Sequence, residues 1–94
     1  MPRYISLIRF TDQGAKALNK STSRAQAFAH AAAKKGVRVV GHYWTAGHYD
    51  GVLIIEADSD KAALGSLAEL AALGNVRTET MPAFVEAEFD AIVK

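Results

Sequence analysis

A chain of 94 residues has room for one hydrophobic core and excludes a second domain. Its 11 basic and 10 acidic side chains leave a net charge of +1, too weak a field to attract nucleic acid or an anionic lipid surface. Cysteine is absent, which excludes disulfides, thiolate nucleophiles and the usual structural zinc sites, so His, carboxylate, Tyr, Trp and Ser/Thr carry whatever chemistry there is.

Residues 3–10 alternate, with Ile5 and Leu7 on one side and Tyr4, Ser6, Ile8 and Phe10 on the other, which predicts a strand with two partly buried faces. With a strand so near Met1 no secretory leader is expected, and no apolar run approaches the roughly 20 residues of a membrane helix. The expected location is the cytoplasm. Thr11-Asp12-Gln13-Gly14 breaks the strand, a short helical turn is expected over 15–18, and Ser21-Thr22-Ser23 supplies N-cap oxygens for a long helix reaching about Lys35. Ala25, Phe28, Ala29 and Ala32 space its apolar face at i, i+3, i+4 and i+7, and Gly36 suits a left-handed stop.

Residues 37–45 and 51–57 are rich in β-branched and aromatic side chains around a turn at Ala46-Gly47-His48, which predicts a β-hairpin. A register centred on Gly47-His48 sets Trp44 opposite Gly51, with the indole free to lie across the glycine. His42, Trp44, Leu53 and Ile55 then share one face, and Tyr43, Val52, Ile54 and Glu56 the other; a single bulge would change this. Asp58-Ser59-Asp60 caps a second helix whose apolar face is Ala63, Leu67, Leu70 and Ala71 and which ends at Gly74-Asn75. A short strand is expected over 76–80, and Pro82 at the first position of a last helix with Val85, Phe89, Ile92 and Val93 on its apolar side.

The order β-α-β-β-α-β-α predicts an α+β, ferredoxin-like βαββαβ sandwich with an extra C-terminal helix, a single domain over 1–94. The third strand's Val52-Leu53-Ile54-Ile55 does not alternate, so both its faces want to leave water. The expectation is a homodimer or higher oligomer packed through the open sheet faces; the alternative cover is the C-terminal helix or a neighbouring loop.

Gly47-His48-Tyr49-Asp50 is a recognisable element, and it stands with Phe10-Thr11-Asp12-Gln13-Gly14, Tyr43-Trp44-Thr45, Glu56-Ala57 and Gly74-Asn75-Val76-Arg77-Thr78-Glu79-Thr80. In these segments the chain resembles, over nearly its whole length, the GYD-domain family of small bacterial and archaeal proteins, departing from the common pattern at Gly51, where a larger apolar residue is more usual. The resemblance implies a ferredoxin-like fold, with the dimeric α+β barrel as one form of it, and brings no assigned activity.

The candidate catalytic residues are His42, Tyr49 and Asp50. Asp50 beside the turn would serve as a general base or polarise Tyr49 or His48; its structural alternative, capping turn amides, is the more usual role for such a residue. Trp44, Tyr49 and Arg77 are the candidate ligand contacts, Arg77 through its planar fork toward an anion; the competing roles are packing for the aromatics and a cross-strand ion-pair ladder with Glu79, Arg9 and Glu56 for the arginine. His42 and His48 lack a second ligand set at a metal spacing, so no metal site is expected and no cofactor is evident, although His42, held rigidly on a strand, is the histidine that would serve as base or haem ligand. The βαββαβ order is shared with RNA-recognition modules, but those stack bases on central-strand aromatics that the third strand here lacks.

Two functions remain. One is an oligomeric ligand-binding or scaffold module. The other is a small enzyme of the dimeric α+β barrel type acting on an apolar or aromatic metabolite, as a cofactor-free oxygenase, an isomerase or a haem user, which rests on fold analogy. An enclosed pocket touching at least two of the polar candidates would favour the second.

Overall fold

The computed structural model describes residues 1–94. Its strands are β1 (Arg3–Phe10), β2 (Val37–Trp44), β3 (Gly51–Ala57) and β4 (Val76–Ala83). Its helices are α1 (Asp12–Ala15), α2 (Ser21–Ala33), α3 (Asp60–Ala72) and α4 (Glu86–Val93), with a 3-10 turn at Leu18–Lys20. The strands form one antiparallel sheet in the order β2-β3-β1-β4, the ferredoxin-like arrangement.

The core lies between the sheet and α2 and α3. Leu53 and Ile55 of β3 are 1% and 0% exposed, and Tyr4, Ile8, Val37, Val76, Ala32, Ala63 and Leu67 complete the buried cluster. Small residues on the helices allow this close approach, while Ser59 at the N-cap of α3 accepts from the Ala62 N–H at 3.1 Å and Gly74, at φ 83°, ends that helix. Ser6 is fully buried on the same side and is satisfied by Thr80, Oγ to Oγ1 at 2.6 Å.

The hairpin register places Val37 opposite Ala57, Val39 opposite Ile55, His42 opposite Leu53 and Trp44 opposite Gly51. An unbroken strand would turn Val37 and His42 to opposite sides, because side chains alternate with period two. A bulge between Val39 and Gly41 absorbs Val40, and both halves of β2 thereby face the helices.

Three expectations are corrected. The short helix runs over Asp12–Ala15 rather than 15–18, because Thr11 is its N-cap and accepts from the Gly14 N–H at 3.1 Å. Ser21, Thr22 and Ser23 lie inside α2 and cap nothing: the preceding 3-10 turn already offers carbonyls, Ser21 N–H donating to the Leu18 oxygen. Pro82 belongs to β4, opposite Tyr4, and α4 starts only at Glu86. β4 is an edge strand, so a residue without an N–H is tolerated there.

The face of the sheet away from α2 and α3 has no layer upon it. Ile5 opposite Ile54 and Leu7 opposite Val52 form its centre, with Met81 and Tyr43 alongside. The C-terminal helix does not cover this face. α4 stands away from the body, every residue from Phe84 to Lys94 is exposed, and Phe89 and Ile92 keep 59% and 61% of their surface in water. The radius of gyration, 13.8 Å against about 12 Å for a compact chain of this length, carries that projection. No helix is long and apolar enough to cross a membrane.

Candidate functional site

The hairpin turn is tied to the end of β1. The Asp50 N–H donates to the Ile8 carbonyl at 2.7 Å, and Asp50 Oδ2 accepts from the Phe10 N–H at 2.8 Å. Within the turn, the Thr45 N–H donates to the Asp50 carbonyl and its hydroxyl to the Tyr49 carbonyl, while Gly47 takes a φ of 140° that side chains disfavour. Asp50 therefore spends its carboxylate on backbone.

Tyr49 lies on the open face. Its hydroxyl donates to Glu79 Oε2 at 2.7 Å, and the Arg9 guanidinium sits 4.8 Å from its ring centroid. The Glu79 hydrogen bond raises the phenol above its ordinary value, the Arg9 charge opposing, so Tyr49 is a neutral donor. Arg77 turns around the β4 edge and donates from Nη1 to the Ala71 and Val76 carbonyls. There it serves the C-terminal end of α3.

His42 and Trp44 are on the other face, beneath α2. Their rings stack with centroids 4.3 Å apart and an interplanar angle of 10°. The imidazole is the indole's stacking partner, while Gly51 is pressed by the Tyr43 carbonyl, which a Cβ there would meet at 2.9 Å. Trp44 Nε1 donates to Ser21 Oγ at 2.9 Å, fixing β2 to the start of α2. Burial pushes His42 below the usual histidine range, so the ring is neutral at pH 7. The two rings border a cleft of about 580 Å³, counted out to its open mouth, whose walls include Ile8, Phe28, Leu53 and Val76.

The structure thus brings His42 and Trp44 together, and holds Tyr49, Asp50 and Arg77 elsewhere. Of the polar candidates, only His42 touches the cleft. No group of three or more His, Asp or Glu side chains is arranged to hold a metal ion. Sequence reasoning missed Arg24, which also lines the cleft. Its signal was present: Ser21, Arg24, Ala25 and Phe28 fall at i, i+3, i+4 and i+7, which places a charge on the helix face that meets the sheet.

A second set of bonds joins the start of α1 to the end of α3. The Thr11 N–H donates to the Asn75 carbonyl at 3.0 Å, Thr11 Oγ1 to the Gly74 carbonyl at 2.5 Å, and Gln13 Nε2 to the Leu73 carbonyl and Asn75 Oδ1 at 3.0 and 2.9 Å. Gly14 packs so tightly there that a Cβ would collide with the Asn75 carbonyl oxygen. Residues 4–93 match the model of the GYD domain. The chain belongs to the GYD-domain family. A relative from Thermus thermophilus, named glutamine synthetase and cystathionine beta-lyase binding protein, is 35% identical over the full length of both chains. The crystal structure of TTHA0845, also from Thermus thermophilus, is similar with a TM-score of 0.57 at 26% identity, covering 90% of this chain and 95% of that one. In this GYD domain the segments Thr11–Gly14, Tyr49–Asp50 and Leu73–Asn75 join strand ends to one another, so much of the resemblance is carried by architecture.

Proposed function

We propose that this GYD domain is a self-associating binding module that docks on other proteins, two copies packing through their open sheet faces with each α4 laid against its neighbour. The observation that carries the reading is the pairing of an uncovered apolar sheet centre with a helix that touches little of its own chain. The open face has the anatomy of an interface. Ile5, Leu7, Val52 and Ile54 form an apolar middle; Arg3, Glu56 and Arg38 make ion pairs at one end, and Arg9, Tyr49 and Glu79 cluster at the other.

The Thermus relative's name supports protein partners of the metabolic-enzyme class. Sedimentation velocity at micromolar concentration is expected to give the dimer mass for the native chain and the monomer mass for Ile54→Asp. A monomeric native chain would end the self-association reading. Co-sedimentation with glutamine synthetase or cystathionine beta-lyase of the same organism tests the partner, and no complex with either would remove that class. The enzyme alternative retains His42 and the cleft but lacks the convergence of His42, Tyr49 and Asp50 that it needs.

A further inference from the structure

The cleft beneath α2 has a chemistry that a docking module does not use. Its walls are mostly apolar, with Phe28 and Leu53 among the residues that line it beside the His42–Trp44 pair. Among the side-chain N–H groups that border it, two have opposite fates. Trp44 Nε1 is satisfied by Ser21. Arg24 donates from Nη1 to the Ala17 carbonyl at 2.8 Å, but its Nη2 is buried and has no partner. No Asp or Glu lines the cleft, and Arg24 joins none of the four ion pairs of the fold. A guanidinium carries its charge at every accessible pH, and leaving a buried N–H of it unpaired is costly. The neutral imidazole of His42 adds no second positive charge to compete for an anion.

We propose that this cleft binds a small monocarboxylate with an apolar, ring-bearing body, the carboxylate on Arg24 and the ring against the His42–Trp44 stack. The carboxylate pairs with the guanidinium, whose buried Nη2 has no partner within the chain, and the ring extends a stack that already exists. Binding is independent of the open face, on the opposite side of the sheet, so the docking reading and this one stand or fall separately.

Trp44 is the chain's one tryptophan and borders the cleft, so its emission reports occupancy directly. Phenylacetate is expected to change that emission saturably, and phenylacetamide, of nearly the same shape without charge, to bind about tenfold more weakly or worse, as the loss of a charge-assisted hydrogen bond requires. Arg24→Gln is expected to bring phenylacetate down to the affinity of the amide and to leave the amide unchanged. The acid and amide comparison uses the native chain and needs no variant to fold. Equal affinities for the two would overturn the role of Arg24, and no saturation with either would overturn the site.

Discussion

The two faces of the sheet are built from the same strands and end in opposite conditions. Toward α2 and α3, Leu53 and Ile55 have left water; toward the open side, their chain neighbours Val52 and Ile54 remain partly wet. Hydrophobicity does not separate them, because β3 is apolar without alternation. Connectivity does. Each β-α-β passage places its helix on the same side, as the shared handedness of such crossovers requires, so the single chain has layers for one face only. Composition identifies the surfaces that must be covered, and the connections decide which are covered from within.

The largest expected effect tests that contrast directly. Leu53→Ala opens a cavity in a packed core and is expected to cost about 2–5 kcal/mol in urea unfolding, whereas Ile54→Ala, one residue along, is expected to cost about 1 kcal/mol at concentrations where the chain is monomeric. Equal costs would mean that the faces are not distinct. Raising the protein concentration is expected to widen the deficit of Ile54→Ala and leave that of Leu53→Ala unchanged, because only the former belongs to the proposed contact between copies.

Gly14→Ala comes next. The added methyl meets a backbone oxygen that is itself hydrogen-bonded to Thr11, so neither partner can yield, and a loss of about 3 kcal/mol is expected in the same assay. Gly65→Ala is its control: nothing lies within 4 Å, the site is an exposed helix interior, and a gain of about 0.5–1 kcal/mol is expected. Asp50→Ala leaves the Phe10 N–H without its acceptor and is expected to cost about 1–3 kcal/mol, with Asp50→Asn recovering part of it through its amide oxygen. If Asp50→Ala left stability unchanged, the end of the sheet would be held by other bonds and the carboxylate would be free for chemistry.

These residues also show what could be read in advance. The faces of the hairpin were legible because Trp44 and Gly51 flank a turn whose length sets the register. The family segments were legible as motifs but not as bonds, since Thr11 and Asn75 are 64 positions apart and nothing local announces their contact. Pro82 was misplaced because helix starts and edge strands both tolerate a missing N–H, and only the sheet order distinguishes them. Arg24 was overlooked because a long cationic side chain on an amphipathic helix usually reaches water, and its burial is decided by the approach of β2 and Trp44.

The smallest effect concerns the charged end of the open face. Glu56 is held to about 2 by hydrogen bonds from Arg38 and Arg3, against an ordinary value of 4.5. A carboxyl whose folded value is depressed contributes stability that is complete above about 4.5 and is lost as the pH falls toward about 2, because the unfolded chain takes up the proton first. Glu56→Gln is therefore expected to flatten that part of the stability profile while leaving the slope above pH 5 unchanged, as followed by urea midpoints across the acid range. The effect is modest because the side chain of Arg38 is 68% exposed, so water and salt screen one of the two partners. Arg38 makes the closer contact, but its exposure discounts it, so Arg38→Ala should matter less than Arg3→Ala, whose side chain is only 35% exposed. Packing of a second copy over this face would dry both pairs, so the acid loss should steepen with protein concentration. A profile indifferent to concentration would show that the ion pairs stay wet, and would place any contact between copies away from this end of the sheet.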